Sequence, residues 1–273
     1  MNQYDAIVIG AGHNGLTNGA YLAKAGLRVA VLERNPYIGG ATVSRELHKG
    51  WYYSNCSYVS SLLRPEITRD LELPRHGLQV VPFGGGATFM RNGDHFGTYA
   101  DHDRHYREIA RHSKRDANAY DRYAADTSLQ TKLIRPYLMR MPPDPTSLKP
   151  RDLRDLMEFA QSFMSLGEEK LLDTIKFWTA SVGDYLNEYF ETDVIKAHMA
   201  GSGIIGTALG VYSPGTAYVL LHHYMGDVDG NVGAWGFARG GMGAIANALS
   251  KAFQSFGGDI ICDANVDEII VRN

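Results

Sequence analysis

Apolar residues first cluster at Asp5-Ala6-Ile7-Val8-Ile9. An uninterrupted run of this kind predicts a strand buried on both faces, as in a parallel sheet flanked by helices. Gly10 ends the run, and from Asn14 to Ala25 the positions Leu16, Ala20, Leu22 and Ala23 supply a helical apolar face that stops at Gly26. Arg28-Val29-Ala30-Val31-Leu32-Glu33 reads as a second strand, completing one strand, helix, strand unit.

From Gly39 to about Glu72 the chain is rich in Gly, Ser and aromatics, and Leu73-Pro74 predicts a first crossing between domains. Ala87-Thr88-Phe89-Met90 and His95-Phe96-Gly97-Thr98 flank Arg91-Asn92-Gly93-Asp94, whose Asn-Gly pair suits a tight hairpin turn. Over 101–134, Tyr106, Ile109, Ala110, Tyr120, Tyr123 and Leu133 alternate with charge, predicting helix with a solvated face that includes the run Arg111 to Arg115. Pro142-Pro143-Asp144-Pro145 breaks the pattern. Leu153, Leu156, Met157, Ala160, Phe163 and Met164, spaced by threes and fours, predict an amphipathic helix over 152–166 packed on its own domain, and 168–190 continues in the same style. A helix over Ala244–Phe256, stopped by Gly257-Gly258, and short strands at Asp259–Cys262 and Val266–Val271 close the pattern.

At 273 residues the chain is long enough for about two globular domains. Thirty glycines against ten prolines point to backbone turns and close approaches rather than low complexity. A net charge of −3 without an extended basic block argues against a nucleic-acid surface. Cys56 and Cys262 stand in no CxxC or His/Cys spacing, so neither a disulfide framework nor a metal site is expected, and a reducing compartment is the default. The start Met1-Asn2-Gln3-Tyr4-Asp5 lacks the basic residues and long apolar stretch of a secretory signal. Between Ala197 and Met225 formal charge is absent apart from His, yet Gly201, Gly203, Gly206, Gly210, Pro214 and Gly215 argue against a membrane span. The expected location is therefore cytoplasmic.

The strongest chemical signal is Gly10-Ala11-Gly12-His13-Asn14-Gly15, a GxGxxG between a predicted strand and helix, with Glu33 ending the next strand. Gly10 permits the turn, Gly12 lets backbone approach a pyrophosphate, Gly15 lets helix and strand close, and the helix N-terminus offers amides and positive potential. Glu33 is placed to accept ribose hydroxyls. His13 sits where a cofactor contact is expected. NAD and FAD share this unit, and Arg34 is either a 2′-phosphate ligand, which would favour NADP, or an exposed ion-pair partner.

Glu33-Arg34 followed by Gly39-Gly40, the later Gly240-Gly241-Met242-Gly243 and Val266-Asp267-Glu268-Ile269 resemble the FAD-dependent oxidoreductases of the phytoene desaturase and amine oxidase superfamily. Tyr58 to Ile67 and Ser213 to His223 resemble its phytoene-dehydrogenase-related group, and the likeness runs from about Tyr4 to Asn273. The resemblance implies an α/β fold: a Rossmann-like FAD-binding domain over 1–74 and 238–273, with an inserted α+β substrate domain over 75–237. It implies that Glu33 binds the adenosine ribose, that the turn Gly39-Gly40-Ala41-Thr42 lies near the pyrophosphate, and that the main chain at Val266 reads the adenine. The family continues for roughly as many residues again. A missing C-terminal part is therefore expected, the chain being either a fragment or a shortened gene product.

The flavin would carry the hydride chemistry. His222, His223 and Trp235 are the candidates for lining the flavin or substrate face, a structural histidine being the plainer alternative. The expected function is an FAD-dependent dehydrogenase, desaturase or isomerase acting on an apolar polyene- or isoprenoid-like substrate, with oxygen, quinone or nicotinamide as acceptor. A substrate drawn from lipid allows peripheral membrane contact. Two alternatives stand beside it: a flavin amine oxidase, disfavoured because Ala41 replaces the usual Arg after the glycine pair, and a flavin-binding regulatory or interaction protein without turnover.

Overall fold

The computed structural model describes residues 3–271. The chain folds as two compact units, one formed by the segments up to Phe83 and from Gly226 onward, the other by 84–225. Along the chain, β1 (Ala6–Ile9), α1 (His13–Lys24) and β2 (Val29–Leu32) lead into a hairpin, β3 (Ser44–His48) and β4 (Trp51–Ser54). Then come α2 (Pro65–Asp70) and β5 (Val80–Pro82). The second unit begins with β6 (Ala87–Phe89) and β7 (His95–Gly97). Its helices are α3 (His102–His112), α4 (Lys114–Ile134), α5 (Pro150–Met164), α6 (Glu168–Thr179), α7 (Val182–Asn187), α8 (Asp193–Ala200) and α9 (Thr216–Tyr224). The chain re-enters the first unit through β8 (Asp227–Val228), β9 (Asn231–Val232), β10 (Gly236–Ala238), α10 (Gly243–Ser255) and β11 (Asp259–Ile261).

In the first unit a parallel sheet of order β1-β2-β11 sets Ala6 opposite Val29 and Asp259 opposite Ala30. Helices α1 and α10 cover one face, burying Leu16, Ala20, Val31, Ile245, Leu249 and Phe253. Gly19 lets them close: a Cβ there would lie 3.0 Å from Val31 and 3.4 Å from the Phe253 ring. The opposite face differs from expectation, since Ile7 and Ile9 are 59% and 52% exposed and β1 is covered on one side only. Both helices lie on the side of Ala6 and Val8, so the outward side chains have no helical layer over them. The strand expected at Val266–Val271 is likewise not formed; the ladder stops at Ile261, and no described strand pairs with the residues after it.

The domain boundaries also move. β5 pairs antiparallel with β10, Val80 opposite Ala238 and Pro82 opposite Gly236, and Ser60 exchanges two 2.8 Å backbone bonds with Gly236. Residues 75–83 and 226–237, expected in the inserted domain, therefore belong to the first unit, and Leu73 is buried in its core instead of marking a crossing. The start of α10 is capped from the hairpin: Met242 N–H donates to Ser54 Oγ (3.0 Å) and Gly243 N–H to Ser44 Oγ (2.9 Å).

The second unit opens with the expected hairpin, Ala87 pairing with Gly97 across the Asn92-Gly93 turn. The helical stretch after it breaks at Ser113, whose hydroxyl accepts the Asp116 N–H (3.1 Å) and caps α4. The run Arg111 to Arg115 thus straddles two helices rather than lining one face, and Arg111 is held by Glu108 and Asp94. Asp116 is fully buried and accepts the amides of Glu191 and Thr192 and the Thr192 hydroxyl, fixing the link from α7 to α8. Helix α5 packs less fully than its spacing predicts. Phe163 is buried in the second unit's core, 5.2 Å from the Trp178 ring, while Leu153, Met157 and Met164 are exposed, so its apolar side is packed on its own domain only in part. Among the described residues no helix is long and apolar enough to cross a membrane.

A candidate dinucleotide cradle

Gly10 leaves β1 with φ of +98° and donates its N–H to Leu32 O (2.7 Å), turning the chain sharply at the sheet's end. Helix α1 starts at His13 with Gly12 as its N-cap and no side-chain cap, so its first amides and the positive end of its dipole are open to an anion. Gly15 closes helix on strand: a Cβ there would lie 2.0 Å from Gly10 O. The second glycine turn comes up against the first, Gly39 N–H donating to Ala11 O (2.8 Å). A Cβ on Gly40 would stand 3.0 Å from Gly12 Cα, so bare backbone faces bare backbone. Ala41 O accepts the Ser57 N–H (3.0 Å), and the buried Thr42 hydroxyl donates to Gly39 O (2.8 Å), bracing this turn. Asn14 is exposed on α1, and His13 Nδ1 is buried without a hydrogen-bond partner.

Glu33 is buried beneath the first turn. Its Oε2 accepts the Ala11 N–H (2.8 Å), and its Oε1 accepts both the Asn35 N–H (2.9 Å) and Asn35 Nδ2 (2.7 Å). Burial pushes this carboxyl up, but the hydrogen bonds from Asn35 and Ala11, with help from the Arg34 charge, outweigh it and hold the group below the ordinary glutamate value. Oε2 retains acceptor capacity beyond its one donor, which fits a ribose hydroxyl. Sequence reasoning missed Asn35 and Ala11; an Asn two residues after the acid, able to bond back to it, was the available signal. Arg34 is exposed. Ala264 N–H donates to Glu33 O (2.9 Å), bringing the end of β11 alongside, and half-buried Val266 follows in the segment without regular structure. Both cysteines are free, and burial, then Asp263 and Glu33, push the Cys262 thiol up, away from a reactive thiolate.

The cradle thus gathers Gly10, Gly12, His13, Gly15, Glu33, Gly39 and Gly40. The other glycine cluster is not a second cradle. A Cβ at Gly241 would lie 2.6 Å from Ser44 Oγ and one at Gly243 2.9 Å from Ser44 N, so these glycines admit the serine hairpin that caps α10. Trp235 is half-buried in the first unit, its carbonyl accepting the Phe83 N–H (3.1 Å). His222 and His223 end α9 in the other unit, His222 exposed and His223 Nδ1 paired with Val219 O (2.9 Å). A cavity of about 490 Å³ beside α2, floored by Leu63, Leu78, Val80 and Val228, shares no lining residue with the cradle. Among the described residues no group of His, Cys, Asp or Glu is arranged to hold a metal ion.

A mononucleotide-type βαβ turn with an uncapped helix and a buried acid on the next strand defines a dinucleotide-binding Rossmann domain. Residues 8–70 match the family of NAD(P)-binding Rossmann-like domains. It is 35% identical over 286 residues, 99% of this chain and 49% of the relative, to pyridine nucleotide-disulfide oxidoreductase domain-containing protein 2 of Mus musculus. It is 21% identical over 277 residues to the 4,4'-diapophytoene desaturase (4,4'-diapolycopene-forming) of Methylomonas sp, covering 100% of this chain and 49% of that one. Among solved structures, putrescine oxidase bound to putrescine superposes with a TM-score of 0.53 at 17% identity over 96% of this chain and 51% of that one, a likeness of fold. The chain spans about half the length of the curated relatives it matches.

Proposed function

We propose that the cradle binds FAD and that the chain forms the dinucleotide-binding part of an oxidoreductase acting on an apolar, polyene- or isoprenoid-like substrate. The observation that carries the cofactor reading is the approach of Gly12 to Gly40 in front of the uncapped start of α1. A space walled by main chain and open to amide donors suits a pyrophosphate, which a single Cβ would displace. Gly12, His13 and the Gly39–Gly40 turn would hold the pyrophosphate, Glu33 Oε2 would accept a ribose hydroxyl, and the main chain near Val266 would border the adenine. Bound flavin would supply the hydride acceptor. The substrate reading rests on the desaturase likeness, and the half-length match makes catalysis a property to seek in a longer product.

The test is flavin retention. The chain is incubated with FAD, desalted and read by absorbance, beside Gly12→Val and Glu33→Ala. Stoichiometric retention by the parent and loss of affinity by at least about tenfold in both variants are expected. Equal affinity in all three overturns the assignment.

A further inference from the structure

We propose that the β6–β7 hairpin is an acid-operated latch of the second unit, docked on α3 and α8 while the imidazoles around Phe96 are neutral and released when they take up protons. The hairpin is a two-stranded sheet that no other described strand joins. Such a pair is marginal in water by itself, so it stays in place through what it packs against. That contact is narrow. Phe89 is 84% exposed, Ala87 and His95 are exposed, and the anchor is fully buried Phe96, with half-buried Met90 beyond the end of β6. The Phe96 ring sits among His105 and His112 of α3 and His198 of α8, 5.0 Å from the closest and 6.2 Å from the farthest. Both helices have core residues of their own, Ile109 on α3 and Ile195 and Met199 on α8, so the seat can open without their leaving.

The seat suits neutral rings and rejects charged ones. His105 Nδ1 and His112 Nε2 are buried without a hydrogen-bond partner. An imidazolium bears an N–H on both nitrogens, so a proton taken up by His105 sets a charged donor where nothing accepts it. The Tyr120 ring of α4 packs against His105 at 4.6 Å. His198 ties α8 to β6 through a 2.8 Å hydrogen bond between its Nδ1 and Thr88 Oγ1. Burial holds both His105 and His198 below the ordinary histidine value, and at His105 the charges of His198 and His102 add to it. Countercharge nearby is already committed. Glu108 Oε1 stands 3.9 Å from His112 Nε2, but Glu108 pairs with Arg111 (2.8 Å) and accepts the Gly97 N–H (3.1 Å). On the hairpin, Asp94 pairs with Arg111 (2.9 Å) and faces His95; on α3, His102 faces Asp103 and Asp121 of α4. These pairs are exposed and contribute little, which leaves docking to Phe96. Release lets the rings ionise at their value in water, so the docked form prevails above about pH 6.5 and gives way below it. The inference concerns 84–225 alone and is independent of the flavin reading.

The test is amide hydrogen exchange of the full chain at about pH 7.5 and about pH 5.5, corrected for intrinsic chemistry so that protection alone is compared. Protection over 86–99 should fall by about tenfold or more at the lower pH, while α4 keeps its own. In the parent, the imidazole resonances of His105 and His198 should titrate over the range in which the hairpin loses protection. His105→Gln with His198→Gln should hold hairpin protection constant across that range. His198→Gln alone, whose amide offers the Thr88 hydroxyl a partner, should keep only part of the change, and it carries the comparison if the pair does not fold. Hairpin protection equal at both pH values, lost only together with that of α4, or as pH-dependent in His198→Gln as in the parent would each overturn the proposal.

Discussion

The glycines of the first turn do different work, and single substitutions separate them. Gly12 has φ −74°, which any residue adopts, and a Cβ there would stand 3.8 Å from Gly40 Cα in ordinary contact. Gly12→Ala should therefore change stability by less than about 0.5 kcal/mol while filling the space proposed for the pyrophosphate; thermal unfolding beside FAD titration checks both halves. Gly15→Ala drives a methyl into Gly10 O and should cost about 1–3 kcal/mol before any ligand is added. Glu33 lies between these cases. Its carboxylate serves the Ala11 and Asn35 donors, so Glu33→Ala strands the buried Ala11 amide and should cost about 1–3 kcal/mol as well as affinity. Because the folded carboxyl titrates below its unfolded value, the stability it adds is present above about pH 4.3 and disappears as acid drives the pH down through the folded value. An acid titration of the first unit's unfolding should show that loss in the parent and a flatter profile in Glu33→Ala.

At the scale of elements, α10 depends on a hairpin nearly two hundred residues earlier. Ser44→Ala and Ser54→Ala should each lower stability by about 1 kcal/mol, visible as a shifted denaturant midpoint with an unchanged slope. In the second unit, β7 seats Phe96 among three imidazoles, its ring centre 5.0 Å from His198, 5.7 Å from His112 and 6.2 Å from His105. Burial, then the charges of His198 and His102, hold His105 below its ordinary value against the pull of Glu108, and burial does the same to His198. A histidine whose folded value is depressed stabilises fully above about pH 6.5, and that contribution fades as pH falls. The second unit should accordingly lose stability as the pH falls below about 6.5, and less so in His198→Gln. Elements with local causes were legible in the sequence: β1, α1 and β2 from their apolar runs and glycines, the β6–β7 hairpin from Asn92-Gly93. Those decided by distant partners were not. The pairing of Val80 with Ala238 and the bond from Ala11 to Glu33 join residues whose proximity no window of sequence shows. Val266–Val271 has strand composition but lacks the neighbour a ladder requires.

Across the whole molecule, the first unit is discontinuous in sequence and the second is not. During synthesis β1, α1 and β2 emerge first, yet Phe253 and Leu249, which bury their shared face, and β11, which completes the sheet, arrive only after the whole of 84–225. The intervening 84–225 contains its own core from Phe96 to Met225 and closes without them. Removal of residues 240–273 should therefore leave a cooperatively unfolding second unit and abolish the first, which limited proteolysis reads as a protected core lacking the glycine turns. A nascent chain would hold the shared face of α1 and the sheet uncovered until the whole of 84–225 has been made. The order of manufacture thus lets 84–225 settle before the sheet beneath the glycine turns is complete.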